Sequence, residues 1–269
     1  MIRNPADRSS DNTSGGPLPR IPTLGSTLRL IREGLGLSRF AAQQRHGISP
    51  SYLFNIEKDE YTPTFETLEK IITGYGLNSI QARYLRELRI PAEELAPVAD
   101  LRRCVQDNVD MISHLDDLED RQILAAYVDP LWNVLACNES FRAATPGLED
   151  SNCIPVWMFS PAPQTAYLHW PHESAYSVAT LKAVLGRYRD SEQAKDVMRQ
   201  LRPVKEFRRQ WSASTDVSYG RDTNDLLHVR DPATGEPASY RLSVSDVTQT
   251  QNILLLTAIR KPYSGPKTT

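Results

Sequence analysis

The stretch from Leu35 to Lys58, LGLSRFAAQQRHGISPSYLFNIEK, constrains the fold more than any other part of the chain. It reads as two short helices joined by a tight turn. Gly36-Leu37-Ser38 closes one helix and opens the next, because a serine hydroxyl accepts from the unpaired N–H groups at a helix start. Gly47 supplies the backbone angles of the turn. Ser49 caps the second helix, and Pro50 follows at the first helical position, where a missing N–H costs nothing. Leu53 and Ile56 face inward. Ser51, Phe54, Asn55 and Lys58 fall at i, i+3, i+4 and i+7 and share the opposite face, which is basic at its end and free of acid.

LRLIRE precedes this stretch, IEKDEYTPTFETLEKI overlaps and extends its end, and SIQARYLREL reads as a last helix. Together these segments resemble the helix-turn-helix of lambdoid phage repressors and the xenobiotic-response-element (XRE) regulators, over Thr23 to Leu88. The resemblance implies that the second helix of the motif lies in the major groove of double-stranded DNA. It puts Ser51 and Asn55 at base edges and Arg39 at a phosphate, with Ser49, Tyr52, Phe54 and Lys58 completing the DNA-facing set. It also pairs Arg32 with Glu57. Ala42 stands where the family usually has Leu, and Gln43 where it usually has Ala. The competing reading is a helical bundle that never touches DNA.

Charge is unevenly spread. The whole chain carries a formal −2, but residues 20–90 hold ten Lys+Arg against seven Asp+Glu, and residues 91–130 hold three against ten. A DNA footprint is therefore local to the first part, and the acidic segment should face away from phosphate. Three cysteines, Cys104, Cys137 and Cys153, are too scattered for a disulfide framework or a thiolate zinc site and read as reduced thiols. No apolar run of about 20 residues suggests a membrane span, and the polar N-terminus does not read as a signal peptide, so a cytoplasmic protein is expected.

At 269 residues the chain predicts two domains. Residues 1–20 read as a disordered tail, in which Arg3, Arg8 and Arg20 have an alternative reading as a minor-groove arm. Residues 21–92 read as an all-α, five-helix DNA-binding domain. Its inner stripes are Leu24, Leu28 and Ile31, then Phe65, Leu68 and Ile72, then Tyr84, Leu85 and Leu88. Residues 93–262 read as an α+β domain, and residues 263–269 as a tail. Within the second domain Val98 to Leu118 predicts one amphipathic helix, as an entry or dimer helix, with Leu101, Val105, Val109, Ile112 and Leu115 on one side. ILAAYVDP and WNVLACN predict a strand pair around Asp129-Pro130. Cys153 to Trp170, broken by prolines, predicts irregular backbone or short helix. Helices follow over Glu173 to Tyr188, Ser191 to Arg202 and Lys205 to Ser212, and the last segments read as strands.

VLACNESF, NCIPVWMF, HWPHESAYSVATLKAVLGRYR, KEFRRQW, HVRDPATG and YRLSVSDV occur in that order. The ordered set resembles the PAS-like ligand-binding domain of the MmyB-like transcription regulators. The resemblance implies a domain that holds an apolar small molecule, with fatty-acid-like compounds as one class. Trp132, Trp157, Phe159, Trp170, Tyr176, Phe207 and Trp211 are candidates for the wall of such a cavity, with Asn138 and His172 as its polar groups. Taken singly, each aromatic is better explained as ordinary core, and only the set together points to a cavity wall.

No phosphate loop, nucleophile elbow or HExxH is present, so an enzyme is not expected. His169, His172 and Glu173 are close in sequence, but Pro171 interrupts them and no fourth ligand is evident. No cofactor or metal is therefore expected. Two functions remain. One is a ligand-responsive, sequence-specific DNA-binding regulator, a homodimer held by its second half. The other is a helix-turn-helix protein whose PAS-like domain serves only dimerisation or partner docking.

Overall fold

A computed structural model describes residues 18–247 and 252–265. The tail positions outside these ranges, including Arg3 and Arg8, lie outside the described residues.

The first domain consists of α1 (Leu24–Gly34), α2 (Arg39–His46), α3 (Pro50–Glu57), α4 (Phe65–Tyr75) and α5 (Ser79–Arg89). Its local signals are used as expected. Thr23, Ser38, Ser49, Thr64 and Asn78 each cap a helix through the side chain, and Gly47 takes the left-handed conformation at φ 73°. Leu28, Leu53, Ile56, Leu68, Ile71 and Leu85 fill the centre. Phe65 departs from the expected stripe. As the first residue of α4 it lies outside the packed turn and is 54% exposed, and Ile71 and Tyr75 complete the inner face instead.

The second domain begins with α6 (Val98–Gln106) and α7 (Val109–Asp120). The single helix expected over Val98 to Leu118 is broken, because Asn108 turns its side chain onto the Met111 N–H and caps a new helix. Val109 is left exposed, while Leu101, Val105, Met111, Leu115 and Leu118 pack on the sheet, so this stripe is no spare dimer face. The sheet contains β1 (Leu124–Val128), β2 (Val134–Cys137), β3 (Leu227–Arg230), β4 (Pro237–Asp246) and β5 (Leu254–Lys261). It is antiparallel throughout, in the order β2-β1-β5-β4-β3, which gives the α+β, PAS-like domain expected. Asp129 shapes the β1–β2 turn by accepting from the N–H groups of Leu131 and Asn133. Between β2 and β3 run α8 (Glu139–Ala144), α9 (Ile154–Trp157), α10 (Pro161–Ala166), α11 (Trp170–Arg187), α12 (Glu192–Leu201) and α13 (Lys205–Ala213). These helices form their own core around Leu181, Leu185, Met198, Leu201 and Phe207.

The two domains are packed on each other. Helix α5 lies on α11, where Tyr84 Oη donates to the Lys182 carbonyl at 3.1 Å and Ala183 joins the core of the first domain. Residues 214–226 form a strap from α13 to β3 that crosses to the first domain. In it Val217 enters that same core, Tyr219 Oη donates to Glu87 at 2.5 Å, and Arg83 stacks on the Tyr219 ring at 3.7 Å. Even the start of the described chain bridges: Pro19 is buried and its carbonyl accepts from Arg202 Nε at 3.0 Å, so the expected tail is already anchored there.

Candidate DNA interface and ligand cleft

Helix α3 presents Ser51, Phe54, Asn55 and Lys58 outward, while Leu53, Ile56 and Glu57 are buried. Ser49 spends its hydroxyl on the Tyr52 N–H, and Pro50 occupies the first turn. Tyr52 is half-buried, packed on the helical core and tilted against Tyr61 with ring centroids 6.2 Å apart. The tight α2–α3 turn and the Ala42 side chain, fully buried at the junction, fix the outward face relative to α2.

The end of α3 is held by a buried charge network. Glu57, whose side chain is 0% exposed, receives Arg32 Nε at 2.5 Å and Arg32 Nη2 at 3.0 Å. The side-chain bond to Glu57 raises the Arg32 pKa against the opposing effect of burial. Arg39 joins the same carboxylate, Nη2 to Oε2 at 2.7 Å, with its side chain 31% exposed. The expected Arg32–Glu57 pair is thus present, and Arg39 divides its guanidinium between that pair and solvent. Its second role was not legible in the sequence, because it depends on where the fold brings Glu57. Arg39 and Lys58 also flank the Phe54 ring, with Cζ 4.9 Å and Nζ 4.4 Å from its centroid.

The second domain divides most of the expected cavity-wall residues between two packed cores. Trp132 and Trp157 belong to the core beneath the sheet, with Tyr167 edge-on to Trp157 at 5.9 Å. Phe159, Trp170, Phe207 and Trp211 pack against one another in the helical core, at centroid separations of 6.1, 5.4 and 5.2 Å along the chain of rings. The indoles of Trp157 and Trp170 donate to the carbonyls of Pro146 and Met158. Trp132, at φ 66° in the β1–β2 turn, keeps a buried Nε1 with no hydrogen-bond partner among the described residues. Tyr176 lies under the Arg221 guanidinium.

The two polar candidates are placed otherwise than expected. Asn138 caps α8 and ties Ala125 N–H and the Ile123 carbonyl, so its amide is consumed inside the fold and is no pocket group. His172 is exposed, 3.4 Å from Asp225. Glu173, beside it, has both oxygens on Arg221, at 2.6 and 2.7 Å, in a pair that is buried on both sides. Sequence reasoning missed Arg221, 48 residues away.

A partly open cleft of about 470 Å³ lies elsewhere, among α6, β2, α8 and residues 145–152. Ile112, Val134, Ala136, Phe141 and Leu148 supply apolar surface, and Arg102, Arg142 and Glu149 supply charge of both signs. Arg102 donates to the Val134 carbonyl, and Arg142 reaches toward Cys137 Sγ at 3.8 Å. Burial pushes the Cys137 thiol above its usual pKa, which keeps it protonated and unreactive near neutral pH.

Residues 23–85 match a family of helix-turn-helix domains, and residues 114–263 match the MmyB-like transcription regulator ligand binding domain. No curated protein matches the chain.

Proposed function

The chain belongs to the MmyB-like transcription regulators, and on that premise we propose that it is a sequence-specific, non-catalytic regulator whose DNA contacts come from α3 and Arg39. Its DNA-facing set is Arg39, Ser49, Ser51, Tyr52, Phe54, Asn55 and Lys58, with Ser49 acting through its cap. The observation that carries the reading is the outward face of α3. It holds an amide, a hydroxyl, a ring and a cation, the last 3.9 Å from the exposed Glu60 carboxylate, and it is fixed from behind by Glu57. We place the domain boundary in residues 91–97 and the protein in the cytoplasm, as a homodimer joined through its second half and reading an inverted repeat.

The second domain takes an apolar small molecule, fatty-acid-like compounds being the class that the resemblance implies. The cleft beside β2 supports this reading, since its size is that of a ligand site and its lining combines apolar side chains with a few polar and charged ones. One observation favours the alternative in which this domain only dimerises or docks a partner: the aromatic rings expected to wall a cavity fill the helical core instead. Native mass spectrometry of the purified protein separates the two. A co-purified small molecule supports the first, and a bare chain that still binds its DNA as a dimer supports the second.

Asn55 can pair bidentately with adenine, a contact worth roughly 1–3 kcal/mol of discrimination. Binding-site selection with the full-length protein and with Asn55→Ala tests the DNA reading. Relaxed preference at one base position per half-site is expected, and unaltered preference at every position refutes the role of Asn55.

A further inference from the structure

Phe54 sits in the middle of the outward face of α3 and is 36% exposed. It lies outside the packed helical core, and cations flank it: Arg39 Cζ at 4.9 Å and Lys58 Nζ at 4.4 Å from the ring centroid. Arg39 is itself pinned by Glu57, Nε to Oε2 at 2.9 Å and Nη2 to Oε2 at 2.7 Å. The ring is thus held by two long cationic side chains, one of them anchored in a buried ion pair.

An apolar ring set among Ser51, Asn55 and Lys58 on a DNA-facing surface needs an apolar partner. Base-pair edges in the major groove present hydrogen-bond donors and acceptors, and one prominent apolar group, the C5-methyl of thymine. Phosphate oxygens cannot use the ring, whereas they suit Arg39 and Lys58 beside it. Resting on the DNA-binding reading above, we propose that Phe54 reads a thymine methyl, so that one position of each half-site is specified by van der Waals contact rather than by a hydrogen bond. The two flanking cations then lie toward the phosphates that border that step.

The test uses the full-length protein and the duplex it selects from a randomised library. Each thymine of that duplex is replaced in turn by deoxyuridine, which retains the base pair and its hydrogen-bonding groups and lacks only the methyl. Burying one methyl group predicts that a single replacement per half-site weakens wild-type binding about fourfold. The same replacement is expected to have no effect on Phe54→Ala, whose preference for thymine over cytosine at that position also falls. Because the first arm is read on the unaltered protein, it does not depend on the fold of the variant. The proposal is overturned if no replacement changes wild-type affinity, or if the loss persists undiminished in Phe54→Ala. A ring that packs only on deoxyribose gives uniform weakening in Phe54→Ala with no deoxyuridine effect, which also overturns it. If the library yields no preferred duplex, the DNA-binding reading fails and this inference fails with it.

Discussion

Placing a methyl group on Gly186 tests the contact between the two domains. A Cβ built there would lie 2.8 Å from Tyr84 Cε2 and 3.0 Å from Leu88 Cδ2, well inside the roughly 3.5–4.0 Å of an ordinary carbon contact. The Tyr84 ring cannot swing aside freely, because it is buried and its hydroxyl is tied to the Lys182 carbonyl. Two effects oppose each other in Gly186→Ala. Alanine within α11 gains about 1 kcal/mol of helix propensity. Overpacking costs about 1–3 kcal/mol, and breaking the Tyr84 hydrogen bond adds about 0.5–1.5 kcal/mol. Strain therefore wins by roughly 0.5–3.5 kcal/mol, which lowers the Tm by about 1–14 °C in a chain of this size. Gly34→Ala is the control: it lies in α1 with nothing within 4 Å of its Cβ, so the propensity gain stands alone and the Tm rises. Scanning calorimetry on both variants decides the matter. A Gly186→Ala protein as stable as the wild type, or more so, would show that α5 and α11 do not meet as described.

Glu57→Ala strands Arg32, whose side chain is only 7% exposed, and is expected to cost about 3–5 kcal/mol in urea titration. Glu66→Ala, which removes an exposed partner of Lys70, should cost far less because solvent screens that pair, and equal losses in the two would refute a buried pair. Arg39→Ala is expected to lower the slope of log affinity against log salt by about 1, with little change in Tm because Glu57 keeps Arg32; an unchanged slope removes the phosphate role. Burial pushes Lys182 down to about 8 against a smaller upward pull from Asp216. From there to the ordinary lysine value of about 10.4 the unfolded chain binds more protons, so this group makes stability rise with pH over roughly pH 8–10. Urea midpoints across that range should show the rise in the wild type and not in Lys182→Met, and parallel curves would contradict it.

What the sequence showed well was local. Caps at Ser38, Ser49 and Asn78 and the turn at Gly47 depend on neighbours within a few positions, so composition and spacing reveal them. Even local patterns mislead where phase decides burial. Phe65 fits a helical stripe by spacing but stands at the first position of its helix, and the Val98 to Leu118 stripe ran straight across a capping asparagine. The second domain was harder, because its decisive contacts are distant. Strand β5 enters between β1 and β4, Glu173 meets Arg221, and Tyr84 meets Lys182 98 residues away. The count of aromatics was visible, but their partition into two packed cores was not, since one ring at helical spacing fits either a core or a cavity wall.

These distant contacts change how the two halves must communicate. A ligand alters DNA affinity only if it binds two arrangements of the protein with different strength. Were the domains joined only by residues 91–97, such arrangements would be loose and numerous. Instead Lys182 ties the inner face of α11 to the end of α13 and the start of the strap, through the carbonyls of Trp211 and Ser214. Arg221 ties the strap back to Glu173 near the start of α11, and Tyr219 and Val217 between them engage α5 and the first core. Moving α5 off α11 exposes Tyr84 and Leu88 and strips Tyr219 from Glu87, so the DNA-binding half does not swing free as a tethered module. For the same reason a fragment cut before Pro97 loses part of its own core, in Ala183 and Val217, and is destabilised as well as separated from the second half. Contacts that can carry a ligand signal include α11 with the strap, the Arg202 bond to Pro19, and α6, which borders the cleft at Arg102 and Gln106 and follows directly on the linker.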